Sequence, residues 1–244
     1  MMTENMIPQE KAKFPFNMIE GMMPWYPWIS LMGWMIVLIS FLVGLFVLSP
    51  AVQTFFSEAK VVREAAGAGS AFVVANVAAH VVETWVPSFK FFGLGLGLLG
   101  IMMALGTIAK RLRAMGFVIV NNIKVSLRPE LPSIPKRVRV FQIFALMGVM
   151  VLMIALIVGI VLAITVVPSY WNNSIASDLN PAEAGSVLLN QLSTIASYTF
   201  WLNPLRMMGM AFLFSGITVA LTVILNSLRV QSKSLVGFYE KVTG

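Results

Sequence analysis

The chain has 244 residues, 58% of them hydrophobic and only 11% charged, with a mean hydropathy of +0.86. A soluble domain of this size carries about 25% charged residues, so the composition excludes an ordinary globular protein and indicates a helical membrane protein. Cysteine is absent, which removes disulfide staples, thiolate metal sites and a cysteine nucleophile.

Residues 1–28 carry Lys11 and Lys13 but also Glu4, Glu10 and Glu20, a poor start for a signal peptide. Pro50 interrupts the only small-residue cleavage candidate, so the first span is expected to be retained. Pro24-Trp25-Tyr26-Pro27-Trp28 precedes that span and suits an aromatic anchor at headgroup level. A patch for docking a protein is the alternative. Four uncharged stretches follow: Ile29–Leu48, Phe91–Ala109, Val140–Val167 and Met207–Leu225. Each is long enough for a hydrocarbon core of about 30 Å, which takes about 20 helical residues. The third is the longest and must tilt or begin at the interface.

Between the first two spans, Gly69–Val86 is apolar but carries Asn76, His80 and Glu83. Its counterpart between the last two, Gly185–Trp201, carries Asn190, Gln191, Ser193, Thr194 and Ser197. Both are expected to be helices lying in the outer interface or dipping in partway, with Trp85 and Trp201 marking the boundary. The central linker, Lys110–Arg139, holds eight basic residues against a single acid, Glu130. Its first part, Arg111–Leu127, reads as an extension of the second span. Pro129, Pro132 and Pro135 favour an extended, polyproline-like spacer, with recognition by a partner's aromatic groove as the sharper alternative.

Charge distribution sets the orientation. With the N-terminus inside, thirteen Lys and Arg lie on the cytoplasmic side, against Lys60, Arg63, Lys90 and Arg206 on the other. This asymmetry is the positive-inside pattern, and it accounts for the net charge of +7 without nucleic acid.

The two halves also match each other. Leu31-Met32-Gly33-x-Met35 recurs as Leu146-Met147-Gly148-x-Met150, and Val43-Gly44 as Val158-Gly159, at an offset of 115. At an offset of 116, Gly69-Ser70 matches Gly185-Ser186, Trp85 matches Trp201, Gly93 matches Gly209, and Gly100 matches Gly216. Lys90 aligns with Arg206, and Leu112-Arg113 with Leu228-Arg229. A tandem, parallel duplication of a two-span unit explains these pairs. Gly93, Gly97 and Gly100 share one helix face, a surface where a second backbone can approach closely. The second copy keeps Gly209 and Gly216, while Leu213 stands opposite Gly97.

Chemistry-bearing residues are sparse. His80 and Glu83 sit three apart, within reach on one helix face, but two ligands do not make a metal site. They are weak metal candidates against a plain reading as a hydrogen-bonded pair. Met147, Met150 and Met153, with Met207, Met208 and Met210, suit apolar filling better than Cu(I) binding, for which no His or Cys partner is present. Ser40, Thr107, Thr165, Ser215, Thr218 and Thr222 supply the hydroxyls of the spans, and Gln142 sits at the inner mouth. Asn172-Asn173-Ser174 is a formal glycosylation acceptor close to a span. No phosphate loop, dinucleotide fingerprint, nucleophile elbow or zinc motif is present.

The expected fold is all-α: four transmembrane helices as two tandem parallel two-span repeats with outer helical loops. The expected divisions are 1–28, the first repeat 29–113, the linker 114–139, the second repeat 140–229 and a cytoplasmic tail 230–244. The expected function is a non-catalytic accessory or structural subunit of a larger membrane complex in the cell membrane. A small channel or transporter between the repeats, or a metal or redox subunit using His80, are the alternatives. No cofactor is expected. Helix packing is assigned to Gly93, Gly97, Gly100, Gly209 and Gly216. Contact with anionic lipid or partner proteins is assigned to Lys110, Arg111, Arg113, Lys136, Arg137 and Arg139. Expected partners are other membrane subunits, or further copies of the chain, and anionic headgroups, with no nucleic acid.

Overall fold

The computed structural model describes residues 21–122, 137–173 and 185–243, and every regular element among them is helical. A 3-10 turn, Met23–Trp25, leads into α1, Tyr26–Val43. Pro24 and Pro27 occupy the first turns of these two elements, where backbone N–H groups lack helical partners anyway. The aromatic cluster is therefore the first turns of the span itself. After Val43 the backbone widens into a π-helical segment, Gly44–Leu48, and resumes as α2, Ser49–Phe56. Pro50 supplies the cause: it cannot donate to Phe46, and its ring presses on that carbonyl. In the widened turn the Ser49 N–H bonds to the Gly44 carbonyl instead, a common way to absorb such a misfit. A short α3, Lys60–Glu64, follows, with the Arg63 guanidinium 4.6 Å and 4.7 Å above the rings of Phe55 and Phe56.

Two very long helices dominate the rest. α4, Ala71–Asn122, has 52 residues, about 78 Å at 1.5 Å per residue. α5, Arg137–Ile164, has 28 residues, and a short α6, Val166–Trp171, follows it. α7, Val187–Thr243, has 57 residues, about 86 Å by the same rise. Gly69–Val86 is thus not a separate interfacial helix, as the sequence reading has it. From Ala71 it continues through Pro87 without a break into the second span, and the segment from Val187 continues likewise through Pro204. Within the third span the α-helix is interrupted at Thr165, between Ile164 and Val166, because Pro168 cannot donate to the Ile164 carbonyl and crowds it. Pro129, Pro132, Pro135 and Lys136 lie outside the described residues.

The starts of α4 and α7 are built alike. Gly69 and Gly185 take positive φ values of 79° and 82°, a conformation cheap only for glycine. Ser70 and Ser186 then cap the helices, accepting from the N–H of Val73 at 3.4 Å and of Leu189 at 3.2 Å. This is the N-cap to N3 bond that satisfies an otherwise orphaned donor.

Among the described residues, four helical stretches are long and apolar enough to cross a membrane: Met23–Phe56, Ala71–Gly116, Arg139–Trp171 and Val187–Lys233. α1 runs antiparallel along α4, α5 runs antiparallel along α7, and α4 packs on both α5 and α7. The α1–α4 crossing is nearly backbone on backbone: a Cβ on Gly33 would lie 2.5 Å from the Gly97 nitrogen and 2.6 Å from the Gly93 oxygen. At the α5–α7 crossing a Cβ on Gly148 would lie 3.0 Å from the Gly209 oxygen. Between the two pairs, Met102, Phe141, Ala145, Leu152, Leu213 and Ala220 form the buried core, joined by Met23, Leu99 and Met103.

Candidate functional site

At the end of the bundle where α4 and α7 begin, the interior turns polar. Arg206, two residues past Pro204 on α7, is only 6% exposed. Its Nε donates to Ser88 Oγ at 2.9 Å, one Nη to Asn203 Oδ1 at 3.1 Å and the other to the Thr84 carbonyl at 3.3 Å. Ser88 and Thr84 are themselves buried. Thr84 Oγ1 donates to the His80 carbonyl at 2.7 Å and lies 3.0 Å from the Tyr198 hydroxyl. A hydroxyl has one proton, so with that proton on His80 the tyrosine is the donor. Gly159 of α5 closes the cluster, since a Cβ there would meet Ser88 Oγ at 2.6 Å. Two helices thus supply acceptors to one guanidinium while a third packs on Ser88, and among the described residues no carboxylate lies within ion-pair distance of Arg206. A buried cation without a counter-ion is costly; three charge-assisted hydrogen bonds offset part of that cost.

A groove of about 320 Å³ lies beside this junction between α5 and α7, lined by Val158, Leu162, Ser193, Thr194, Ser197, Tyr198 and Trp201. Next to it on α4, the His80 ring stacks on Trp171 of α6 with centroids 3.8 Å apart. Its Nδ1 stands 3.7 Å from Glu83 Oε2, too long for a hydrogen bond, so the aromatic stack is its principal contact. Among the described residues no group of three or more His, Cys, Asp or Glu side chains is placed to hold a metal ion. Met147, Met150, Met153, Met207 and Met208 point outward, whereas Met23, Met102 and Met103 fill the core.

The packing glycines sit as follows. Gly93 lies against Gly33 and Ile36, Gly100 against Ser30 and Tyr26, Gly209 against Leu152 and Gly148, and Gly216 against Met102 and Phe144. Gly97 takes part through its backbone nitrogen, while a Cβ of its own would meet nothing within 4 Å. Gly33, Gly95 and Gly148 also matter: a side chain on Gly95 would collide with Leu152.

At the opposite end, Lys110 and Arg111 of α4, Arg139 of α5 and Arg229 and Lys233 of α7 are all exposed. Arg113 and Arg137 lie within α4 and α5. Gln231 of α7 reaches across to α4 here, its Nε2 donating to the Leu112 carbonyl at 2.7 Å.

Arg206 is the residue that sequence reading misplaces, as an outer-loop charge. Its signal was available: a lone basic residue beside a proline, at the head of a stretch that is otherwise uncharged. Burial of an ionisable group among apolar helices marks a functional candidate.

Fold and site together define a class: an all-helical chain with four candidate membrane spans and a single buried cation among its described residues. No protein-family model, curated protein or solved structure matches the chain.

Proposed function

We propose that the chain is a non-catalytic, integral subunit of a larger membrane complex, built from two tandem two-span units and oriented with its basic end in the cytoplasm. The observation that carries this reading is the basic end itself. Past the uncharged stretches Phe91–Ala109 and Met207–Leu225, α4 and α7 continue as a pair joined by Gln231. They present Lys110, Arg111, Arg229 and Lys233, with Arg139 beside them, and among the described residues none of these side chains is within ion-pair distance of an acid. Such a surface suits anionic headgroups and acidic faces of partner subunits. The duplication is supported by equivalent residues making equivalent contacts: the Gly69-Ser70 and Gly185-Ser186 caps and the Gly33–Gly93 and Gly148–Gly209 crossings. Lys90 and Arg206 have diverged, the first exposed and the second buried. Cross-linking in native membranes followed by mild solubilisation is expected to recover the chain with stoichiometric partner subunits. Recovery as a lone monomer after cross-linking would count against the proposal.

A conduit between the two units is the second reading, favoured by Arg206 and Gln142, both buried. It ranks lower because Met102, Leu152 and Leu213, each at most 1% exposed, fill the space between the units. Solute flux through liposomes holding the purified chain alone would reverse the order.

A further inference from the structure

Between α1 and α4 runs an apolar groove of about 400 Å³, lined by Tyr26, Pro27, Ser30, Leu31, Trp34, Gly100, Ile101 and Ala104. Its floor exists because Gly100 has no side chain: a Cβ there would lie 2.8 Å from that of Ser30. Beyond the groove the same face of α4 carries Ile108 and then a charge. Ile101, Ala104, Ile108, Arg111 and Met115 follow one another at spacings of three and four along α4, so they lie on one face. Ile101, Ile108, Arg111 and Met115 are all exposed. Arg111 therefore stands in line with the groove, seven residues past Ala104 and about 10 Å further along the axis.

A strip of apolar surface walled by Tyr26 and Trp34 and reaching an exposed guanidinium matches an amphiphile with an anionic head. The apolar lining suits a hydrocarbon chain, and the guanidinium beyond it suits a phosphate, which it can bind by charge-assisted hydrogen bonds. We propose that the groove seats one acyl chain of an anionic phospholipid whose phosphate is held by Arg111. This rests on the reading that the basic end faces anionic headgroups, and it adds a defined seat to a diffuse attraction.

Native mass spectrometry of the full chain, released from micelles holding equimolar phosphatidylglycerol and phosphatidylcholine, tests it. The wild type is expected to keep one lipid and to favour phosphatidylglycerol about five-fold, the effect of one basic residue near an anionic surface. Arg111→Gln keeps the lipid but loses the preference. Ala104→Phe, which fills the groove, loses the lipid itself; Ala104→Leu is a gentler plug if the larger ring prevents folding. Plugged variants that keep one lipid with an undiminished preference overturn the seat and leave the general attraction standing. A wild type that holds lipid without preference overturns both.

Discussion

Whether a glycine matters depends on where its missing side chain would point. Gly33 and Gly97 meet at one crossing, yet they differ in this respect. A Cβ on Gly33 would run into backbone atoms of α4 at 2.5 Å and 2.6 Å, whereas one on Gly97 would enter open space. Backbone cannot rotate aside as a side-chain end can, so Gly33→Ala must push α1 off α4. The expected destabilisation is about 1–3 kcal/mol, the usual range for overpacking. Gly97→Ala is expected to be neutral or to stabilise by up to about 1 kcal/mol through helix propensity. Thermal unfolding in a fixed detergent distinguishes the two, and equal melting of both variants would contradict the crossing. Sequence spacing alone places Gly93, Gly97 and Gly100 on a common face, but it cannot say which Cβ direction is blocked. That depends on how α1 approaches.

At the scale of elements, α4 and α7 are two rods tied near both ends. At one end Arg206 binds Ser88 and the Thr84 carbonyl, and at the other Gln231 binds the Leu112 carbonyl. Removing Ser88 Oγ leaves a buried guanidinium one acceptor short, a loss of about 1.5–3 kcal/mol for a hydrogen bond to a charged group. Ser88→Ala is therefore expected to raise amide hydrogen exchange in residues 71–90 and 187–206, while residues around Leu112 and Gln231 keep their protection. A uniform rise along both helices would mean that the two ties are not independent. The apolar cores of all four spans were legible because hydrocarbon requires an uncharged run of fixed length. The capping pairs Gly69-Ser70 and Gly185-Ser186 were legible only as a repeated match, not as caps. What was illegible was continuity. Pro87 and Pro204, with His80, Asn190 and other polar residues ahead of them, read as breaks in a local window. The structure keeps both helices going through their prolines, and beside Pro87 the Arg206 guanidinium arrives from α7 to bind Ser88 and the Thr84 carbonyl. A window along the chain does not see such partners.

For the whole molecule, the two proposed units are not merely strung together by residues 123–136. Met102 of the first packs with Leu152 and Leu213 of the second in one core. Gly95 lies against Leu152, Ser88 against Gly159, and Arg206 and Gln231 cross from the second unit to the first. In a membrane, association of helices relies on such close packing and interhelical hydrogen bonds, since lipid tails are as apolar as leucine. If these contacts hold the fold, covalent continuity is dispensable once it has formed. A protease site inserted within residues 123–136 and cut after purification is expected to leave both halves co-eluting in mild detergent. Gly95→Phe drives a ring into Leu152 at the heart of the shared core, so the cut variant is expected to separate while its uncut form remains one chain. Separation of the cut wild type would assign the cohesion of the molecule to residues 123–136 rather than to the core. Co-elution of the cut Gly95→Phe variant would place the main contact between the units elsewhere, with the Arg206 and Gln231 ties as the next pair to remove.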